Sequence, residues 1–123
     1  PDARLPRDDA DASDVLVEDA LRMIAAGNLA AARVALDRAV ERDRINPQAY
    51  EAYARYDIAA RSFPHAIEMA QRAVTLRRNK SEYLLVLGDA YAAASDTTNA
   101  RDAWQRCVAM DRNRQCRARL EAP

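Results

Sequence analysis

Apolar and polar positions recur along most of the chain at the spacing that gathers one class on a single face of a helix, not in the strict alternation of a strand. From Ser13 onward this helical pattern is interrupted near Gly27-Asn28, Asn46-Pro47, Arg61 to Pro64, Arg78 to Ser81, Ser95 to Thr98 and Arg112 to Gln115. The interruptions predict six helices of about 13 residues each, followed by a short tail helix. Helix starts are marked as expected: Asn46 is a good N-cap with Pro47 in the first helical position, Ser62 precedes Pro64, and Asp96 or Thr97 can cap the sixth helix. Residues 1–12, PDARLPRDDADA, carry two prolines and clustered aspartates with almost no apolar content, and read as a flexible leader or linker.

One predicted helix raises a question. The stretch Leu84-Leu-Val-Leu-Gly-Asp-Ala-Tyr91 places Gly88 in a helix interior, where glycine is about 1 kcal/mol worse than alanine. Close approach of another helix is the expected reason. Composition supports helices throughout: of 123 residues 28 are alanine, two are glycine and seven are aromatic.

Shifting the chain by 34 residues aligns Ala32, Ala66 and Ala100; Arg38, Arg72 and Arg106; Ala39, Ala73 and Cys107; Val40, Val74 and Val108; and Arg44, Arg78 and Arg112. Five columns agree without an insertion, which identifies an internal repeat. Residues 81–114 offer Leu84, Leu87-Gly88, Tyr91, Ala100 and Trp104; residues 47–80 offer Tyr50, Tyr53-Ala54, Ala66, Ala70 and Ala73; residues 13–46 offer Leu16, Ala20, Met23, Gly27, Ala32, Leu36 and Ala39. This pattern resembles the tetratricopeptide repeat, with departures at Asp19, Asp57 and Arg112, where leucine, tyrosine and proline are usual. The resemblance implies an all-α fold, an α-solenoid of three antiparallel helix pairs in a right-handed superhelix, with residues 115–123 as a truncated capping helix. Ala20, Ala54 and Gly88 then share one column, expected to press against Ala32, Ala66 and Ala100, while Leu16, Tyr50, Leu84, Leu36 and Trp104 fill the space between hairpins.

Formal charge is zero but unevenly placed: residues 1–21 hold seven acids against Arg4 and Arg7, and residues 101–123 hold six arginines against three acids. Basic and acidic residues mix through the middle, so the basic face of a nucleic-acid binder is not expected. No apolar run approaches the roughly 18 residues of a membrane span, so no membrane insertion is expected. The arginine-rich composition, with Lys80 the single lysine, points to a GC-rich bacterial genome.

An enzyme needs convergent titratable groups, and the chain has one histidine, His65, read as a solvated residue beside Pro64. Gly27 and Gly88 stand apart, so no phosphate cradle exists, and no Cys and His cluster has zinc spacing. No catalytic residue, metal site or cofactor is expected. Cys107 and Cys116 form a disulfide candidate whose small loop would stabilise by about 2 to 3 kcal/mol. Such a bond implies a periplasmic or extracellular setting; with free thiols the setting would be cytoplasmic. Alternatively Cys107 simply replaces the small residue of Ala39 and Ala73.

The resemblance places the functional surface on a groove lined by the first helix of each pair. Helical spacing then assigns Val17, Leu21 and Ile24; Gln48, Glu51, Arg55 and Ile58; and Glu82, Leu85, Asp89 and Ala92 to that lining. Chaperone-tail-binding members of the family hold a terminal carboxylate with a clamp of lysine, asparagine and arginine. The matching places here hold Val17, Leu21, Ala52, Glu82 and Val86, so that mode is excluded. Either Val17 and Leu21 stand exposed and are covered by a partner, or the phase of the first helix turns them inward. Arg38, Arg72 and Arg106 are expected as solvated charges on the outer face. The expectation is a non-catalytic scaffold that binds a protein or peptide partner, with self-association through the solenoid ends possible. Its alternative is a helper module excised from a larger bacterial signalling, secretion or envelope protein, suggested by the absence of an initial methionine and the truncated cap.

Overall fold

The computed structural model describes residues 5–122. Its elements are α1 (Leu5–Ala25), α2 (Leu29–Arg42), α3 (Pro47–Ala59), α4 (Phe63–Leu76), α5 (Ser81–Ala93), α6 (Thr97–Asp111) and α7 (Arg114–Glu121), with no strand among the described residues. Helices pair as α1 with α2, α3 with α4 and α5 with α6, successive pairs stack through α2–α3 and α4–α5, and α7 packs on α6. Contacts therefore run between helices one or two apart in sequence, as in a solenoid.

The first helix departs from expectation. It begins at Leu5, so residues 5–12 of the supposed leader are helical, and residues 1–4 lie outside the described residues. The local sequence admits this, because proline is tolerated in a first turn and Ala10 and Ala12 are strong helix formers.

Each pair turns in the same way. Gly27, Arg61 and Ser95 stand 34 residues apart and all adopt positive φ, at 80°, 63° and 65°. The amide of the following residue reaches back to a carbonyl of the helix just ended: Asn28 to Met23 at 2.8 Å, Ser62 to Asp57 at 2.8 Å and Asp96 to Tyr91 at 2.9 Å. This bonding satisfies carbonyls that the helix end leaves open and requires a left-handed residue, for which glycine is best suited. The repeat thus uses glycine in one turn and a strained non-glycine residue in two.

Asparagine caps join consecutive units. The Asn46 side chain accepts from the Gln48 amide and donates to Ser13 Oγ at 2.9 Å, and Ser13, fully buried, donates to the Ala39 carbonyl at 2.8 Å. Asn113 repeats the device at the other end, capping α7 and donating to buried Ser81 Oγ at 3.1 Å. The junction before α5 lacks it, since Lys80 makes no side-chain cap there.

Small residues line the crossings, as Ala20, Ala54, Ala32, Ala66 and Ala100 are all buried. For Gly88 the reason differs from the expected alanine contact. A Cβ there would lie 2.9 Å from Trp104 Cε2 and closer still to Nε1 and Cδ1, so the glycine is required by the indole of α6 lying across α5. Leu36 and Ala70 hold the place of Trp104 in the first and second pairs, opposite Ala20 and Ala54.

Candidate binding groove

Helical spacing on α1 puts Asp14, Val17, Glu18, Leu21 and Ile24 on one face, and the odd-numbered helices lie side by side. Their common surface carries two depressions that share Arg55. One, of about 500 Å³, lies between α1, α3 and α5 and is lined by Asp14, Val17, Glu18, Leu21, Gln48, Glu51, Arg55, Lys80, Glu82 and Tyr83. The other, of about 340 Å³, is lined by Ile24, Arg55, Ile58, Leu85, Val86, Asp89, Gln115 and Arg119. Ten of the eleven residues assigned from the sequence fall in these two linings; Ala92 is exposed and lines neither.

Their roles divide by burial. Val17 is buried at 4% exposure, so the inward phase holds for it and no exposed patch forms there. Leu85 is likewise core, whereas Leu21, Ile24 and Ile58 are half-buried and present apolar surface to the depressions. Gln48, Arg55 and Glu82 are exposed. Glu51 pairs with Arg55 at 3.3 Å; burial pushes its carboxyl above the ordinary value, Arg55 opposes that shift and Glu82 adds to it. Asp89 is tied into the structure, accepting from Trp104 Nε1 at 3.1 Å and from Arg119 Nε at 3.0 Å and Nη2 at 3.2 Å. It joins α5, α6 and α7, and the hydrogen bond to Asp89 holds the Arg119 guanidinium in its charged form.

Several lining residues were missed from the sequence. Asp14 and Glu18 carry the same helical phase as Val17 and Leu21, a signal that was present; Gln115 and Arg119 enter because α7 continues the row of first helices as well as covering the end. His65 was misread. Its Nδ1 lies 2.6 Å from Oδ2 of Asp57, and its ring meets that of Tyr53 edge-on at 5.3 Å between centroids. Asp57 is buried at 2% exposure, and burial raises its carboxyl above the ordinary range while His65 opposes the shift. The missing tyrosine of the second unit is thereby replaced by a polar contact between α3 and α4.

A larger depression, of about 700 Å³, runs along α4 between Tyr50 and Tyr91. Its charged residues are Arg44, Glu68 and Arg72, with Arg72 Nη2 at 3.2 Å from Glu68 and its guanidinium over the Tyr50 ring at 5.7 Å. Arg106 pairs with Asp102 at 3.9 Å, so two of the three recurring arginines are in exposed i,i+4 pairs and Arg38 is simply exposed. Cys107 and Cys116 are both buried and form a disulfide, linking α6 to α7.

Among solved structures, the first TPR of Spaghetti (RPAP3) bound to the HSP90 peptide SRMEEVD superposes with a TM-score of 0.82 at 20% identity, covering 90% of this chain and 89% of that one. The chain has the tetratricopeptide-repeat fold. The TPR domain of Arabidopsis OM64 gives a TM-score of 0.83 at 15% identity, covering 92% of this chain and 94% of that one. The N-terminal domain of stress-induced protein-1 (STI-1) from C. elegans gives 0.76 at 18% identity with the same coverages of 92% and 94%. No family model matches the sequence, and no curated protein matches it. In this tetratricopeptide array, three of the five places equivalent to the carboxylate clamp, Val17, Ala52 and Val86, are core residues.

Proposed function

We propose that the chain is a non-catalytic interaction module that holds a peptide or helix of a partner protein against α1, α3 and α5. The observation that carries this reading is the pair of depressions on that surface, with half-buried Leu21, Ile24 and Ile58 set among charged side chains. Apolar anchors within a polar rim are the usual anatomy of a protein-binding surface. One structural neighbour carries a bound HSP90 peptide, which supports the class of function but not the same ligand. His65 is engaged by Asp57 and no serine, cysteine or histidine lines the groove beside its acidic groups, so the chemistry favours binding over catalysis.

Selection of random peptides displayed on phage, followed by anisotropy titration of the selected sequences, tests the reading. Leu21→Glu and Ile58→Glu should each weaken capture at least about tenfold with helicity unchanged, as expected for groove anchors. Unaltered affinity in both variants would remove the groove as the site. Leu85 is unsuited to this test because it belongs to the core.

A second reading, self-association through the solenoid ends, draws on Val15. Ala49 and Tyr83 hold the equivalent place and are buried, whereas Val15 is 56% exposed. Light scattering across a concentration series should then show a rise in mass that Val15→Lys abolishes; constant mass excludes it.

A further inference from the structure

The groove reading leaves the chemistry of the held segment open, and the charges of the lining narrow it. The larger of the two depressions on the odd-numbered helices places four carboxylates, Asp14, Glu18, Glu51 and Glu82, against two cations, Arg55 and Lys80. Arg55 is already paired with Glu51. In the adjoining depression Arg119 is paired in two contacts with Asp89. Lys80 is therefore the one lining cation without a groove carboxylate partner among the described residues, and a surplus of negative charge faces the space. Apolar walls beneath those carboxylates limit solvent screening and focus the field. Immediately beside them, Ile24 and Ile58 give apolar surface to a depression of about 340 Å³ that Arg55, Asp89, Gln115 and Arg119 also line.

We propose that the groove accepts a cationic segment of a partner protein, placing lysine or arginine side chains beside Glu18, Glu51 and Glu82 and an adjacent apolar side chain between Ile24 and Ile58. The proposal rests on the groove reading above and names the ligand class. An acidic peptide such as SRMEEVD is disfavoured here, because the places matched to the clamp supply four apolar residues, Val17, Leu21, Ala52 and Val86, and one carboxylate, Glu82, instead of cations. Glu51 fits the scheme: its carboxyl sits above the ordinary value through burial and the nearby Glu82, so an arriving cation relieves an electrostatic cost already present in the free protein.

The test uses four fluorescent peptides: one of leucine and arginine, the same with glutamate for arginine, the same with serine for leucine, and SRMEEVD. Anisotropy titrations at about 50 mM and about 300 mM sodium chloride separate screened from unscreened binding. The leucine–arginine peptide should bind most tightly and weaken several-fold with salt, and the serine version should bind at least about tenfold less well. Glu18→Lys combined with Glu82→Lys, both at exposed positions, should reverse the order so that the glutamate peptide now binds best, a gain that misfolding cannot produce. Tighter binding of the glutamate peptide or SRMEEVD to the unaltered protein, or an order unchanged in the double variant, would overturn the charge assignment. If that acidic binding is still lost in Leu21→Glu, the groove stands and only the cationic assignment falls. A salt-sensitive dimer in sedimentation, abolished by the same double variant, would place arginines of a second copy in the groove and overturn the partner-protein assignment.

Discussion

In the third hairpin Trp104 lies across Gly88, Leu84 and Leu87 fill the core, and a disulfide ties α6 to α7; in the second, Ala70 stands opposite Ala54 and a buried carboxylate, Asp57, is held by His65. The backbones match, turn for turn, down to the positive φ of Arg61 and Ser95. The third hairpin is therefore built on the Gly88–Trp104 crossing and the disulfide, and the second on buried Tyr50, Tyr53 and Met69 with a polar contact where the repeat usually has tyrosine. What the repeat keeps is a small residue on the first helix, Ala20, Ala54 or Gly88, while the place of Trp104 varies in size through Leu36 and Ala70.

The largest consequences fall in the third hairpin. Gly88→Ala drives a methyl into the indole, and overpacking of this kind costs about 1 to 3 kcal/mol. In a Trp104→Leu background, which copies the first hairpin, the same substitution should turn neutral or stabilising, because alanine regains about 1 kcal/mol of helix propensity. Urea denaturation of the four-protein cycle measures the coupling; additive effects would mean that the two positions do not share a space. The disulfide has an effect of the same order. Reduction, or Cys116→Ser, should cost about 2 to 3 kcal/mol and speed hydrogen exchange in α7, with little change in α3 and α4.

The second hairpin gives a pH signature in the acidic range. Because burial raises the Asp57 carboxyl in the folded state, the native protein binds this proton more tightly than the unfolded chain. The associated stability is fully present below the ordinary carboxylate value of about 4 and is lost as pH rises through the raised value. Asp57→Asn should flatten that part of the stability profile, measured by thermal unfolding across an acidic pH series. An unchanged slope would show that the folded environment leaves Asp57 unperturbed. The smallest effect concerns the turns: Ser95→Gly should stabilise by about 1 kcal/mol, and Arg61→Gly by less, since Arg61 also lies over the Phe63 ring at 5.7 Å.

Much of this architecture was readable because a solenoid repeats its constraints. The Asn46 and Asp96 caps, the breaks at Gly27-Asn28 and Asn46-Pro47, and the buried alanine columns all follow from local helix chemistry and a fixed period. The groove lining was legible to the extent that it depends on helical phase alone, which holds for Gln48, Glu51, Arg55 and Glu82. Phase does not reveal how deeply a neighbouring hairpin covers a side chain, so Val17 and Leu85 were assigned to a surface when they belong to the core. The start of α1 was hidden by a proline and aspartates whose composition suits a linker as well as a first turn. The Asp57–His65 contact was hidden because its partners lie on opposite sides of a turn, and the repeat pattern predicts tyrosine there, not a pair.

The claim on which the functional account depends is that partners are held by α1, α3 and α5. Amide chemical-shift mapping of the isotope-labelled protein, titrated with a display-selected peptide, tests it most directly. The account predicts the largest shifts at Leu21, Glu51, Arg55, Ile58 and Glu82, with α2, α4 and α6 little changed on their outer faces. Shifts concentrated instead around Glu68, Arg72 and Leu76 on α4, or around Val15 at the solenoid end, would contradict it.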